Sequence, residues 1–360
     1  MKLVSPLLKR VVYPCLSSAG ILQHHAKDRE LSVVTYHGVL PYGYQALDPH
    51  LDGSLVSIAS LRKQLRFFKA NYNVIHPATF CDFLQGNGSL PDRAMLLTCD
   101  DGLLNNLTDM LPVLQEESVR FLFFVTADSL QLERRMLWYE QLYLMMLLSS
   151  APASSAWLRG TLRAGPHAYP TTRTLWWSVV KEWSGNSAAE RAALIEDART
   201  QFGLQEDWMN AFIDSASRLR RFALLTRPEL LQLSAAGMEI GSHTLTHPML
   251  SQSPAQVALE EITQSRSLRE ELLEKPVWAL AYPFGNGESV SDREIHFAQS
   301  AGYRCAFLNC EGSATSPFAI SRMHMTSDIS IPEIQAHLSG FHAAIHRLAG
   351  AQPTPVGKGA

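Results

Sequence analysis

The sequence predicts an α/β fold, a distorted (β/α) barrel of about seven to eight parallel strands with a helical insertion. Short, nearly continuous apolar runs alternate with helix-like stretches along most of the chain. Such runs are typical of parallel strands that are buried on both faces and covered by helices. About eight of these units occur, and that number favours a barrel over a small open sheet.

The strand candidates are rich in β-branched and aromatic residues and are bounded by turn-forming residues. They cover residues 31–36, 72–76, 94–99, 120–125, 238–241, 277–282, 304–309 and 318–323. Helical periodicity appears over residues 57–71, 254–274 and 332–350.

One helix boundary is specified especially well by the residue types around it. Thr226 is a suitable N-cap, Pro228 fits the first turn, Glu229 completes a capping box and Gly237 provides a stop. The strand candidate at 238–241 follows immediately, as the order of an α/β fold requires.

Residues 130–225 interrupt the alternation, because they lack clear strand signals. This stretch contains six of the seven tryptophans, Trp138, Trp157, Trp176, Trp177, Trp183 and Trp208. We interpret it as a helical insertion between two barrel strands, with most of the tryptophans forming a local core. The predicted organisation is an amphipathic segment at 1–30, the barrel at 31–345 including this insertion, and a flexible tail at 346–360.

Composition limits the possible partners and compartments. The 360 residues carry a formal net charge of −3 without a Lys/Arg run, so a nucleic-acid or anionic-membrane surface is not expected. Five scattered cysteines without a CxxC pair favour a reducing compartment. No apolar run approaches the roughly 20 residues of a membrane span. The first 22 residues fit an amphipathic helix better than a signal peptide, which favours the cytoplasm while leaving a weak export signal or a membrane-surface segment open.

Polar side chains follow several strand candidates at the point where each strand ends. His37 follows the first, Asp100 and Asp101 follow the third, and His243 and His247 follow the fifth. Because the carboxyl ends of parallel strands meet at one face, we expect these side chains to converge.

The spacing of His243 and His247 predicts two imidazoles on one side of a single helical turn. An aspartate and two histidines make a three-ligand site for a divalent metal with one position open for water. On this interpretation the metal neutralises Asp101, while Asp100 stays free to accept a proton.

Three short motifs resemble those of a known family. "TCDDG" at 98–102, "HTLTH" at 243–247 and "AYPFG" at 281–285 are similar to the motifs of the polysaccharide deacetylases of carbohydrate esterase family 4, the NodB homology domain. The third motif has the form found in relatives acting in exopolysaccharide and cell-envelope metabolism. The resemblance covers roughly residues 31–128 and 226–325 and leaves the insertion out.

The resemblance implies a metal-dependent removal of acetyl groups from an N-acetylated sugar or polysaccharide. Asp101, His243 and His247 would bind zinc, with cobalt, nickel or manganese as alternatives. Asp100 would be the general base, and the backbone N–H of Phe284 would donate to the oxyanion. Trp138, by stacking on a sugar ring, and Tyr282 are the residues expected to contact the glycan.

Two departures from the family pattern leave parts of the site open. Ala281 stands where the family has an arginine that contacts the catalytic aspartate, and Arg322 is our candidate to replace it. The usual L-x-x-H ending is absent, so His324 and His37 are both candidates for the general acid.

Two other functions remain as alternatives. One is a related amide hydrolase, such as a deformylase acting on a lipid-linked sugar, and the other is an inactive glycan-binding protein. The sequence does not specify the sugar, N- versus O-acetyl preference or the oligomeric state.

Overall fold

The computed structural model of the chain describes residues 4–22, 31–149, 151–162, 171–312 and 316–348. Its centre is a curled sheet of eight strands that pair in parallel. The strands are β1 (Leu31–Tyr36), β2 (Asn73–Val74), β3 (Ala94–Cys99), β4 (Leu122–Val125), β5 (Glu239–Ser242), β6 (Ala279–Ala281), β7 (Cys305–Phe307) and β8 (Met323–His324).

The strand order is β7-β6-β5-β4-β3-β1-β8, with β2 beside the first residues of β3. The predicted distorted (β/α) barrel is therefore confirmed. The expectation of one strand over residues 318–323 is wrong. Ile320 forms an isolated parallel bridge to Phe307, and the chain then shifts so that only Met323 and His324 pair with β1. This shifted segment lies between β7 and β1, where the two edges of the curled sheet approach each other.

Alternate residues of the central strands pack on opposite sides of the sheet. In β3, Leu96 packs with the barrel interior, whereas Met95 and Leu97 pack beneath the surrounding helices. In β4, Phe124 likewise packs in the barrel interior and Phe123 packs beneath the helices. Because both faces are buried, the strands read as continuous apolar runs. The same alternation directs Asp100, four residues beyond Leu96, towards the barrel interior.

Helices surround the barrel and fill the region between β4 and β5. The barrel helices are Pro49–Asp52, Ile58–Asn71, Pro77–Leu84, Leu111–Glu116, Arg227–Ala235, Ala255–Leu273, Asp292–Ser300, Ile331–Leu338 and Phe341–Leu348. A π-helical turn at Asn106–Met110 and 3₁₀ turns at Ala127–Leu130 and Leu250–Gln252 complete this layer. Between β4 and β5 lie Trp138–Leu148, Ala151–Gly160, Thr172–Trp183, Ala188–Gln201, Trp208–Phe212 and Ala216–Phe222.

The predicted boundary at Thr226 is confirmed. The helix covers Arg227–Ala235, and the Glu229 carboxylate accepts hydrogen bonds from the Thr226 N–H and hydroxyl. Gly237 has φ of 85° after the helix, a conformation that glycine adopts without a Cβ penalty.

The helices between β4 and β5 share a core of their own. It includes Leu142, Val179 and Trp183, with Trp157 and Trp208 packed against it. The tryptophans therefore serve mainly as local packing here, while the division of the chain into domains stays a prediction. Most of the predicted tail, from residue 349 on, lies outside the described residues.

The N-terminal residues form a helical segment made of Val4–Leu7, a π-helical stretch Leu8–Val12 and Tyr13–Ser18. Tyr13 packs with Ala336 and Phe341 of the C-terminal helices. Among the described helices, none has the length and apolar character needed to cross a bilayer.

Candidate active site

A cleft of about 800 Å³ lies over the carboxyl ends of the strands. Side chains at or just beyond the ends of five different strands line it, because the parallel topology brings those strand ends to one face. They are His37 after β1, Asp100 and Asp101 after β3, His243 and His247 after β5, Phe284 after β6 and His324 in β8.

Asp101, His243 and His247 form a compact buried group. The Asp101 Oδ1 lies 3.4 Å from the Nε2 of each histidine, and this oxygen is buried without a hydrogen-bond partner among the described residues. In a tetrahedral site with ligand bonds of about 2.0–2.1 Å, ligand atoms lie about 3.3–3.4 Å apart. The three side chains therefore fit a divalent metal ion.

The protonation states of this group also suit a metal. Burial raises the pKa of Asp101, but the neighbouring imidazoles of His243, His247 and His37 outweigh it and hold that pKa well below its usual value. Burial lowers the pKa of His247. An ionised carboxylate and a neutral imidazole are the forms that bind metals.

The segment that carries the two histidines is a loop, so the expectation of a helical turn is wrong. Thr244 and His247 have positive φ values of 67° and 58°. The buried Glu261 carboxylate accepts hydrogen bonds from the N–H groups of Leu245 and Thr246 at 2.8 and 2.9 Å. These side-chain bonds replace helical ones and hold both imidazoles towards Asp101. We call residues 243–249 the histidine loop.

The inserted helices brace the histidine loop from behind. Arg191 pairs with Glu261 at 3.2 Å, and both side chains are buried. Ser184 accepts a hydrogen bond from the Met249 N–H at 3.0 Å. On the barrel side, the buried Arg269 donates to the Thr244 carbonyl at 3.1 Å.

Each histidine is also oriented individually. The Nδ1 of His243 lies 2.8 Å from the Ala281 carbonyl oxygen, an arrangement that leaves Nε2 for a metal. The Trp138 indole N–H donates to the His247 carbonyl at 3.1 Å, and the Trp138 ring is buried and does not line the cleft. The expected stacking of Trp138 on a sugar is therefore not supported, because this ring packs behind the metal group.

Asp100 is held by Arg322, as expected for a replacement of the family arginine. The guanidinium donates to both carboxylate oxygens at 2.7 and 2.6 Å, and both side chains are buried. Arg322 is itself fixed by the hydroxyls of Thr35 and Thr98 and by the Leu308 carbonyl. The predicted contact between Arg322 and Asp100 is confirmed.

This contact determines the charge of Asp100. Burial raises the pKa of the carboxyl, but the Arg322 guanidinium and the nearby His243 together hold that pKa below its usual value. Asp100 therefore stays ionised at neutral pH.

The "AYPFG" segment contributes through its backbone. Phe284 has φ of 60°, and among the described residues no acceptor takes its N–H. The Phe284 ring packs 4.8 Å from that of His247. Tyr282 is fully buried, and its hydroxyl donates to the Phe318 carbonyl at 3.1 Å. The substrate contact expected from Tyr282 is not supported, because its side chain does not reach the cleft.

His37 and His324 form an edge-to-face pair with ring centroids 4.6 Å apart. The Nδ1 of His37 is buried without a hydrogen-bond partner among the described residues. Burial and the neighbouring His37 lower the pKa of His324 to about 4. Both candidates for the general acid line the cleft.

Known proteins are similar to this chain in part of its sequence and in its fold. Residues 200–306, which include both histidines and the third motif, match the family model described as polysaccharide deacetylase. The resemblance to the polysaccharide deacetylases is confirmed. No curated protein sequence matches the chain.

Solved deacetylase structures share the fold. The Streptococcus pyogenes deacetylase PplD in complex with acetate has a TM-score of 0.52 at 15% identity, covering 86% of this chain and 98% of that one. A Bacillus cereus polysaccharide deacetylase has a TM-score of 0.52 at 16% identity, covering 86% of this chain and 69% of that one. A de-N-acetylase from Aggregatibacter actinomycetemcomitans has a TM-score of 0.50 at 14% identity, covering 85% of this chain and 99% of that one.

Several residues that line the cleft were missed by the sequence analysis. They come mostly from the inserted helices and from loops that carry no recognised motif: Tyr139, Glu140, Arg173, Trp176, Trp177, Asn286 and Asn309. The concentration of tryptophans did point to Trp176 and Trp177 as a group. No local pattern distinguished these two from the tryptophans of the core.

Proposed function

We propose that the protein is a metal-dependent deacetylase that hydrolyses acetyl groups on an N-acetylated sugar or polysaccharide. The observation that carries this proposal is the ionised Asp100, held by Arg322, beside the buried group of Asp101, His243 and His247. A glycan-binding protein does not need a second, oriented carboxylate next to three metal ligands.

Asp101, His243 and His247 hold the divalent ion, for which the ligand set favours zinc. When bound, the ion supplies a Lewis acid that polarises the acetyl carbonyl and makes water more acidic. Asp100 accepts the proton of the attacking water. The free N–H of Phe284 donates to the oxyanion that develops on the carbonyl oxygen.

The leaving amine takes its proton from His37 or His324, which lie side by side in the lining of the cleft. The roles of His37 and His324 can be distinguished with two substrates whose leaving groups differ in their need for a proton. An aryl acetate ester needs no proton on its leaving group, whereas a sugar amide does. We expect the variant that lacks the donor to lose amide hydrolysis and to keep most hydrolysis of 4-nitrophenyl acetate. Equal loss of both activities in His37→Ala and in His324→Ala would contradict this role for either residue.

The central experiment measures acetate release from N-acetylated oligosaccharides by protein stripped of metal and reloaded with zinc, cobalt, nickel or manganese. We expect release that depends on the metal and falls roughly 10²- to 10⁴-fold in Asp100→Asn, with the metal retained. Release of formate from a formamido sugar in place of acetate would identify a deformylase. Glycan binding without release by any reloaded form would contradict the proposal.

A further inference from the structure

One wall of the cleft is formed by the inserted helix Thr172–Trp183. Five of its residues line the cleft: Arg173, Thr174, Trp176, Trp177 and Ser178. The Trp177 ring packs edge-on against that of Phe284, with centroids 5.3 Å apart. The Trp177 ring thus lies beside the residue whose backbone amide is proposed to hold the oxyanion.

Each carboxylate that lines the cleft has either an arginine partner or a place in the proposed metal group. Asp100 pairs with Arg322, and Glu140 pairs with Arg221 at 2.9 Å. Asp101 lies between two imidazoles in the proposed metal group. With a metal ion held by Asp101, a substrate would meet no unpaired carboxylate among the described residues that line the cleft.

Arg173 is different, because it lines the cleft, is exposed, and forms neither a hydrogen bond nor an ion pair with any described residue. Asp48 accepts hydrogen bonds from the His50 N–H and the Tyr143 hydroxyl, and no ion pair joins it to Arg173 among the described residues. The cleft thus carries an unpaired guanidinium.

The spacing relates this charge to the aromatic wall. Arg173 and Trp177 are four residues apart on one helix, so they lie on the same face with Cβ atoms about 5–6 Å apart. That separation is comparable to the width of one sugar ring. A ring stacked on Trp177 would place a substituent within reach of the guanidinium.

We propose that the substrate is an anionic acetylated glycan, whose sugar ring packs on Trp177 and whose carboxylate or phosphate pairs with Arg173. This inference rests on the proposed function for the acetyl group and adds the charge of the molecule that carries it. Both anions match the planar, bidentate fork of arginine better than the ammonium of lysine. Because the site is exposed, its contribution should weaken as salt rises.

Three matched probes test the proposal. They are the methyl glycoside of N-acetylglucosamine as the neutral sugar, N-acetylglucosamine 1-phosphate, and a disaccharide of N-acetylglucosamine and glucuronic acid. Binding is measured by calorimetry and hydrolysis by acetate release, each at low and high salt. The two charged probes show whether phosphate or carboxylate is the group recognised.

We expect the wild-type protein to bind at least one charged probe roughly tenfold to a hundredfold more tightly than the neutral sugar. Arg173→Gln should remove that preference and leave the neutral sugar unchanged. Arg173→Lys should recover part of it. Arg227→Gln is the matched control, because Arg227 is exposed and does not line the cleft.

Equal affinity of the wild-type protein for the neutral and both charged probes would overturn the proposal, as would a preference that survives in Arg173→Gln. If no probe loses acetate but the charged preference depends on Arg173, the anion site stands and the proposed deacetylation fails. If the neutral and the charged probes are bound equally tightly and deacetylated at equal rates, the proposed deacetylation stands and the anion site fails.

Discussion

Removing the Arg322 side chain should lower both stability and turnover, mainly through the loss of its ion pair with Asp100. In Arg322→Met the Asp100 carboxylate loses two charge-assisted hydrogen bonds, of 2.7 and 2.6 Å, while remaining only 1% exposed. Each such bond contributes about 1.5–3 kcal/mol, and breaking a buried ion pair costs about 3–5 kcal/mol. We therefore expect the free energy of unfolding to fall by about 3–5 kcal/mol.

The double variant Asp100→Asn/Arg322→Met separates this pairing from general packing around Arg322. Asparagine removes the uncompensated buried charge, so the double variant should be more stable than Arg322→Met alone by about 2 kcal/mol or more. The bonds of Arg322 to Thr35, Thr98 and Leu308 are lost in both proteins, so they cancel in the comparison.

Turnover should also depend on the pairing of Arg322 with Asp100. If Arg322 acts by orienting and ionising the base, Arg322→Met loses up to the 10²- to 10⁴-fold that a general base contributes. The double variant should then be no slower than Asp100→Asn. Urea unfolding of the metal-free proteins, acetate release at saturating zinc and elemental analysis of bound zinc measure the three quantities.

Equal urea midpoints of Arg322→Met and the double variant would refute the pairing as the source of the destabilisation. Wild-type turnover in Arg322→Met, or a double variant much slower than Asp100→Asn, would refute the positioning of the base. If Arg322→Met does not fold, Arg322→Lys provides the same comparison with the positive charge retained.

Three further predictions concern the metal group and its surroundings. His243→Ala should lose stoichiometric zinc after dialysis, as measured by elemental analysis, whereas the control His296→Ala on an outer helix should keep it; zinc retained in both would remove His243 from the ligand set. Glu261→Gln should weaken zinc binding by roughly 10- to 100-fold in a chelator competition, because its carboxylate holds two amides of the histidine loop; unchanged affinity would show that the loop does not need this support. Burial raises the pKa of Asp128 to about 6 from an ordinary value of 3.8, so the folded state holds a proton that the unfolded state releases, and stability should fall as pH rises from 4 to 6. Asp128→Asn should remove this slope and be more stable at pH 7.5 by up to about 3 kcal/mol in urea unfolding, and an unchanged slope would count against this account.

The fold and the positions of the metal-group residues could be predicted from the sequence because both depend on local patterns. Runs such as residues 94–99 and 120–125 are apolar throughout, since both faces of these strands are buried. Asp101 and His243 each follow a strand, and parallel topology brings strand ends together without further information. Arg322 was chosen by the same reasoning, as a residue at the end of the last strand candidate, and in the structure it directly precedes β8.

Predictions that depended on side-chain direction were less successful. The spacing of His243 and His247 suggested a helical turn, but Glu261, 14 residues beyond His247, supplies the bonds that hold a loop instead. Tyr282 belongs to the third motif and Trp138 to the tryptophan-rich insertion, yet each side chain is buried away from the cleft. Their hydrogen-bond partners come from distant parts of the chain, which local residue types do not reveal.

The sequence by itself determined the alternation of strands and helices, the barrel and the set of residues at its carboxyl face. Those features follow from periodic burial and from residue types at strand ends, which are local properties. Only the tertiary structure decided how the insertion takes part, with Arg191 and Ser184 bracing the histidine loop and Trp177 and Arg173 forming a wall of the cleft. These contacts join segments more than 50 residues apart, and their geometry depends on how whole helices pack rather than on any short pattern.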